Sequence, residues 1–273
     1  MSNRLFKLFA ITFILTLVIA PFAALAGQDN WSYDQNDDEE EDDDYRWKTW
    51  RTHRSHGGFS GFGGFYFNAQ TFESSDLENL ATSMGLDEFD SFVPMWGGMG
   101  MGHVGDGWRI GGGGHGGHAY TDGVYTAGDG KQYNRSLELD IGMGGFMFEY
   151  SPWMFGPVNF GFGAMLGGGG VSVIMSQDTG TYTWGDLNNQ YIGDPSDGEN
   201  IRTQIDQGFF IAEPYVTVRV HILDWMALQG NAGYTWTSLR TDNWEFNENE
   251  LTGDGPEIDL NKPFFRLGLV FGG

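Results

Sequence analysis

Between residues 58 and 273 the chain offers eight stretches whose side chains alternate in character, and the connections between them run alternately long and short. Few folds produce that rhythm. Alternation with a period of two marks strands with two unlike faces. When every second connection is short, successive strands run antiparallel and all the tight turns gather at one end. The expectation is an all-β chain: a closed antiparallel up-and-down transmembrane β-barrel of eight strands.

The stretches fall at residues 58–71, 93–104, 108–120, 135–150, 158–176, 208–223, 225–240 and 262–271. A short helix is expected after the first, to Met84, because Ser75 reads as a cap and Glu78 follows three residues later. Gly105-Asp106-Gly107, the link through Pro152 and Pro157, and Asp224 supply the three short turns. Residues 121–134, 177–206 and 241–261 read as long polar loops. In a bacterial barrel the short turns lie on the periplasmic side and the long loops outside.

Two segments precede the barrel. Residues 1–26 carry Arg4 and Lys7, an apolar run from Leu8 to Ala20, Pro21, and the small-x-small Ala24-Leu25-Ala26, which is the pattern of a cleaved secretory signal. The run has 13 residues, against about 20 for a helix that spans a bilayer. Residues 27–57 then form an acidic block, with Asp34, Asp37, Asp38, Glu39, Glu40, Glu41, Asp42, Asp43 and Asp44, followed by a basic, aromatic stretch from Tyr45 to His56. Like charge at that density resists compaction. Asp37 to Asp44 are a candidate for weak, multi-site binding of Ca²⁺ or Mg²⁺, hard cations that prefer oxygen ligands. A basic partner or a bare solvated spacer are the competing readings of the same block.

Without the signal, 12 basic residues face 37 acidic ones, a formal charge near −25. Nucleic acid is therefore not expected as a partner, since phosphate binding needs a basic stripe. There is no cysteine, and a ladder closed on itself does not need disulfides.

One face of several strands is apolar and the other polar. Leu137, Leu139, Ile141 and Met143 oppose Glu138 and Asp140; Phe210, Ala212, Val216, Val218 and Val220 oppose Glu213, Thr217, Arg219 and His221; Phe265, Leu267, Leu269 and Phe271 oppose Phe264, Arg266 and Gly268. With the apolar faces toward lipid, the lumen is expected to hold Arg109, Glu138, Asp140, Glu213, Arg219, His221 and Arg266, with His115 nearby. Eight strands leave only enough interior for side chains to fill, and buried ions must pair. The expectation is an ion-pair plug, with a proton or ion path through the same residues as the alternative. Trp108, Tyr120, Tyr150, Trp153, Trp225, Trp236 and Phe264, at strand ends, read as interfacial girdles.

On the alternating strands and the C-terminal Phe265-x-Leu267-x-Leu269-x-Phe271, the chain resembles the small eight-stranded bacterial outer-membrane barrels. The usual terminal aromatic is here Phe271, followed by Gly272-Gly273. The resemblance implies a fold and an outer-membrane location and transfers no functional residue.

Other motifs carry less. His115-x-x-His118 has metal-like spacing, but in a strand residues three apart point to opposite faces, so no metal site is expected there. His53-x-x-His56 lies beside the acidic block as a second candidate for loose divalent-cation binding. Ser172, Ser176, Asp178 and Asp242 lie near the outer rim, while His221 lies at the other end, which argues against a nucleophile and base. No catalytic residue and no cofactor is expected. The leading reading is a plugged, non-enzymatic barrel in contact with outer-membrane lipid. Its role is structural, or lies in binding an extracellular ligand or surface partner through Tyr182, Trp184, Tyr191, Trp244 and Phe246. A small-solute transporter or narrow channel, a rim enzyme, and a soluble ligand-binding barrel of the lipocalin kind are the alternatives.

Overall fold

A computed structural model describes residues 61–105, 107–180 and 200–272. The expected signal, the acidic block, His53 and His56 lie outside the described residues, as do Tyr182, Trp184 and Tyr191.

Seven long strands follow one another: β1 (Gly61–Thr71), β2 (Phe92–Gly105), β3 (Trp108–Thr126), β4 (Gln132–Phe155), β5 (Val158–Asp178), β6 (Ile201–Leu223) and β7 (Met226–Tyr234). The two-residue pieces β8 (Trp236–Thr237), β9 (Glu245–Phe246) and β10 (Asn249–Glu250) come next, and β11 (Pro263–Gly272) is the eighth long strand. Each long strand pairs antiparallel with its neighbour in sequence, β7 pairs with β11, and β11 returns to β1 from Phe62↔Gly272 to Gln70↔Phe264. The ring is closed and its long strands number eight.

The strands run further than the apolar alternation suggests. Residues 121–134, expected to be a loop, extend the β3–β4 ladder from Thr121↔Leu137 to Thr126↔Gln132, with a tight turn at Ala127–Lys131. β6 likewise begins at Ile201 rather than near residue 208. Polar side chains on both faces hid these extensions.

Between β1 and β2 lies the helix α1 (Ser75–Met84). Its cap is Ser74 and not Ser75: the Ser74 hydroxyl accepts from the Leu77 N–H at 3.2 Å, and Gly85 ends the helix with φ 75°. Leu77 and Ala81 are buried against Phe72, Phe89, Trp244, Ile258 and Leu260, so α1 and the segment before β11 share one apolar core at the long-hairpin end of the ring.

Inside, the ring is too narrow for side chains everywhere. A Cβ on Gly169 would meet the Phe209 ring at 2.6 Å, and one on Gly233 the Phe264 ring at 2.7 Å. Glycine at these inward positions is what lets large neighbours fill the lumen.

Candidate functional site

The candidate site is the lumen, built in two charged layers. The lower lies toward the short turns. Glu149 on β4 is fully buried and takes Arg109 from β3 at 2.8 Å and Arg219 from β6 at 3.1 Å. Ser151 donates to the same carboxylate oxygen at 3.0 Å and accepts from Arg109 at 2.7 Å. Arg219 also donates to Gln229 through Nε at 3.0 Å and Nη2 at 2.8 Å, and Gln229 passes the chain on to Asn231. The Phe62 ring lies 4.2 Å from the Arg219 guanidinium and supplies the remaining face as a cation–π partner.

The second layer is centred on Glu213 of β6, also fully buried. Arg266 of β11 pairs with one of its oxygens; Thr235 donates to the other at 2.9 Å, and His115 Nε2 lies 3.8 Å from it. His115 Nδ1 faces the Tyr66 hydroxyl at 3.3 Å. Phe264 and Tyr66 stack against the Arg266 guanidinium, at 4.2 and 5.3 Å. Toward the long hairpins the buried inner side chains become mostly apolar, with Met143, Phe209, Ile211, Leu137, Leu139 and Val173 beside Gln70 and Gln207.

Of the residues expected in the lumen, Arg109, Glu213, Arg219 and Arg266 lie on the inner side and belong to these two clusters. Other placements differ. Leu137, Leu139, Ile141 and Met143 point inward and are buried, so Glu138 and Asp140 point outward and join no lumen pair. His221 is half-buried beside the β6–β7 turn, with its backbone N–H bonded to the Pro157 carbonyl. Phe264, read as an interfacial aromatic, is wholly buried in the lumen. The residue that sequence reasoning missed is Glu149. Its signal was the parity of Phe146, Phe148 and Tyr150, which fixes Met147 and Glu149 on the opposite, inner face.

The outer surface is the reverse of the interior. Phe65, Trp96, Phe146, Phe162, Leu166, Phe210, Val216 and Phe265 are exposed, Phe210 at 78%. Near the short turns the rings touch in sequence, Trp108–Tyr150 at 4.7 Å, Tyr150–Phe162 at 5.7 Å and Trp153–Phe162 at 6.5 Å, while Trp225, Phe271 and Phe65 continue the band. Tyr234 and Trp236, 5.4 Å apart, lie toward the other end.

At the long-hairpin end the lumen is covered. Glu73 and Asp259 form a backbone bridge, Ser74 donates to the Glu257 carbonyl at 2.6 Å, and Asp76 accepts from the Glu257 N–H at 2.8 Å. Arg135 holds the last turn of α1 through the Met84 carbonyl at 3.0 Å. A cleft of about 330 Å³ remains beside it, lined by Leu80, Met84, Arg135, Met175, Gln177 and Ile201. Trp244, expected to face outward for recognition, is buried in this cover, with its indole N–H on the Pro256 carbonyl at 3.2 Å; Phe246 is exposed.

Lys262 pins the cover through Glu73 at 2.9 Å and Asp259 at 2.8 Å. Partial burial raises the Asp259 carboxyl, but hydrogen bonds from Lys262 and Asn261 outweigh it and leave its pKa below the usual carboxylate value; the hydrogen bonds to Asp259 and Glu73 raise Lys262. A depressed carboxyl contributes stability above its unfolded value and loses it as pH falls through the folded one, and a raised amine contributes below its unfolded value. The tether thus holds from about pH 4 to about pH 10. Amide exchange in residues 73–84 is expected to speed up below pH 4, once corrected for intrinsic rates, and Lys262→Met to give the same loosening at neutral pH. Unchanged protection in Lys262→Met would show that the tether does not hold the cover.

Among the rim residues, Ser172 donates to Asp206 at 2.5 Å, Ser176 shares a hydrogen bond with Ser136, Asp178 accepts from Asn134, and Asp242 pairs with Arg240. None of these contacts brings a histidine to a serine.

No protein-family model matches the chain, and no curated protein matches it. Among solved structures it is similar to Ail, the attachment invasion locus protein of Yersinia pestis, which has been solved with the heparin analogue sucrose octasulfate. Identity there is 10% and the TM-score 0.34, over 78% of this chain and 99% of that one. It is also similar to the outer membrane protein OprG of Pseudomonas aeruginosa, at 8% identity and a TM-score of 0.34, over 79% and 96%. CarO2 of Acinetobacter baumannii matches at 10% identity and a TM-score of 0.29, over 77% and 99%. All three are small bacterial outer-membrane β-barrels, and the likeness is one of fold.

Proposed function

We propose that the protein is an outer-membrane barrel whose lumen is plugged by its own side chains, with a structural or surface-interaction role carried by the long hairpins. The observation that carries this reading is the inversion of the two faces. Arg219, Arg266, Glu149 and Glu213 are buried inside, while Phe65, Trp96, Phe210 and Val216 are exposed outside. A soluble ligand-binding barrel needs the opposite arrangement. Side chains of that size facing out in a continuous belt, with aromatic bands at its edges, suit lipid. The two ion-pair layers and the cover of α1 support a closed path.

A closed ladder leaves no unpaired strand edge, so the folded barrel resists SDS until heated. The expected result is faster migration of the unheated protein than of the boiled one, and retention in the outer-membrane fraction through an alkaline carbonate wash. Equal migration, or release by the wash, would overturn the membrane reading. The second reading is a narrow solute path. The buried Arg266 Nε and Nη1, the Tyr215 hydroxyl and the Gln207 amide have no hydrogen-bond partner among the described residues, which favours water in the lumen. Single-channel conductance of the purified chain in a bilayer separates the two: the plug gives none.

A further inference from the structure

Glu138 and Asp140, two residues apart on one strand, share the outer face of the barrel, and the β3–β4 register sets His118 directly opposite Asp140. One ligand atom from each of the three lies within 4.8 Å of the others. We propose that His118, Glu138 and Asp140 form a binding site for a first-row divalent metal of the zinc class.

Three observations converge on it. The donor set is mixed: one imidazole nitrogen and two carboxylates suit Zn²⁺, Co²⁺ or Mn²⁺, whereas Ca²⁺ wants six or more oxygens. The donors come from two strands locked side by side by a ladder that runs from Trp108↔Tyr150 to Thr126↔Gln132, so the backbone is already placed. Three ligands at about 2.1 Å from one ion stand about 3.4 Å apart, a distance that small rotamer changes of accessible side chains reach. Finally, nothing else in the described structure occupies these groups. Within the described residues the side chains of His118, Glu138 and Asp140 take part in no hydrogen bond or ion pair, while the same cross-strand row continues through Ser172 to Asp206, a third carboxylate. Like charges side by side on one sheet face are destabilising, and here no lysine or arginine offsets them. A cation does.

The row on the short-turn side is Gly116, Gly142, Gly170 and Gly208, so no side chain covers the metal position from that side. A Cβ on Gly142 would meet nothing within 4 Å. With three protein ligands, the fourth position stays open outward. The site lies ten residues along β3 from Trp108, a rise of about 25 Å at a strand tilt near 40°, which is about the height of a lipid-facing apolar belt. It therefore stands at the belt's outer edge, where a hydrated ion is tolerated. The site itself rests on the strand register and does not depend on the membrane reading.

The test is Co²⁺ titration of the full-length chain in detergent, followed by visible d–d absorption, then displacement with Zn²⁺. Wild type is expected to develop a tetrahedral-type band that Zn²⁺ abolishes. His118→Ala and Asp140→Asn should each weaken Co²⁺ binding at least tenfold while keeping heat-modifiable migration, and His53→Ala/His56→Ala should leave the band intact. No band in wild type, an unchanged band in both site variants, or a band lost only in the His53/His56 variant would each overturn the site.

Discussion

Arg266→Leu is expected to lower the unfolding free energy of the barrel by about 3–5 kcal/mol, the cost of stranding one member of a buried ion pair. Both partners are almost wholly inaccessible: 1% of the Arg266 side chain and none of Glu213 is exposed. After the substitution Glu213 keeps only Thr235 and the more distant His115. A charge opposite Tyr66 and Phe264 also disappears, and with it two ring contacts. Removing the carboxylate as well, in Arg266→Leu/Glu213→Leu, should recover most of the loss, because a pair of apolar side chains has no desolvation to offset. Lys131→Leu in the β3–β4 turn is the control, with a change within about 0.5 kcal/mol. Denaturant unfolding in detergent measures all three. Equal midpoints for Arg266→Leu and Lys131→Leu would remove the second layer of the plug.

Gly111→Ala should do comparable damage by a different route. Its Cβ would stand 1.9 Å from the Gly100 carbonyl oxygen and 2.7 Å from the Met101 Cα, both backbone atoms of β2. The strands cannot separate without breaking their ladder, so overpacking here is expected to cost about 3 kcal/mol, the upper part of the usual range. Gly142→Ala, on the outer face with open space, should change stability by no more than about 0.5 kcal/mol. The matched pair reads the inner and outer faces separately. If the two variants unfold alike, the assignment of faces on β3 and β4 is wrong.

The barrel itself was legible because lipid-facing strands must alternate and turns must be short at one end. β6 and β11 carry that alternation cleanly, with Phe210, Val216 and Phe265 exposed and Glu213, Arg219 and Arg266 buried. β4 was misread because its most obvious apolar set, Leu137 to Met143, lies in the half that extends beyond the belt. There the interior is an apolar core and the exterior is free to be polar. The half nearer the turn, with Phe146, Phe148 and Tyr150 outward, carries the membrane signal, and following it would have found Glu149. The His118 cluster was invisible for a related reason: spacing along one strand says nothing of what the neighbouring strand brings alongside. His115 and His118 lie on opposite faces of β3, one inward and the other outward. The cover of α1 over the lumen depends on contacts such as Ser74 with Glu257, about 180 residues apart, and no local pattern encodes them.

The seam between β1 and β11 is an ordinary rung of the ladder, no weaker in register than any other, and Gly61 lies beside Gly272 across it. The ring therefore has no privileged starting strand. A linker joining those two positions, with new ends opened in the β3–β4 turn at Ala127–Lys131, would rearrange the order of synthesis while leaving every neighbour the same. What such a permutant would lose is the position of its final strand: β3 would take the place that the Phe265-x-Leu267-x-Leu269-x-Phe271 segment holds now. Architecture is thus written around the whole circle, whereas the order of the strands is set only by where the chain is cut.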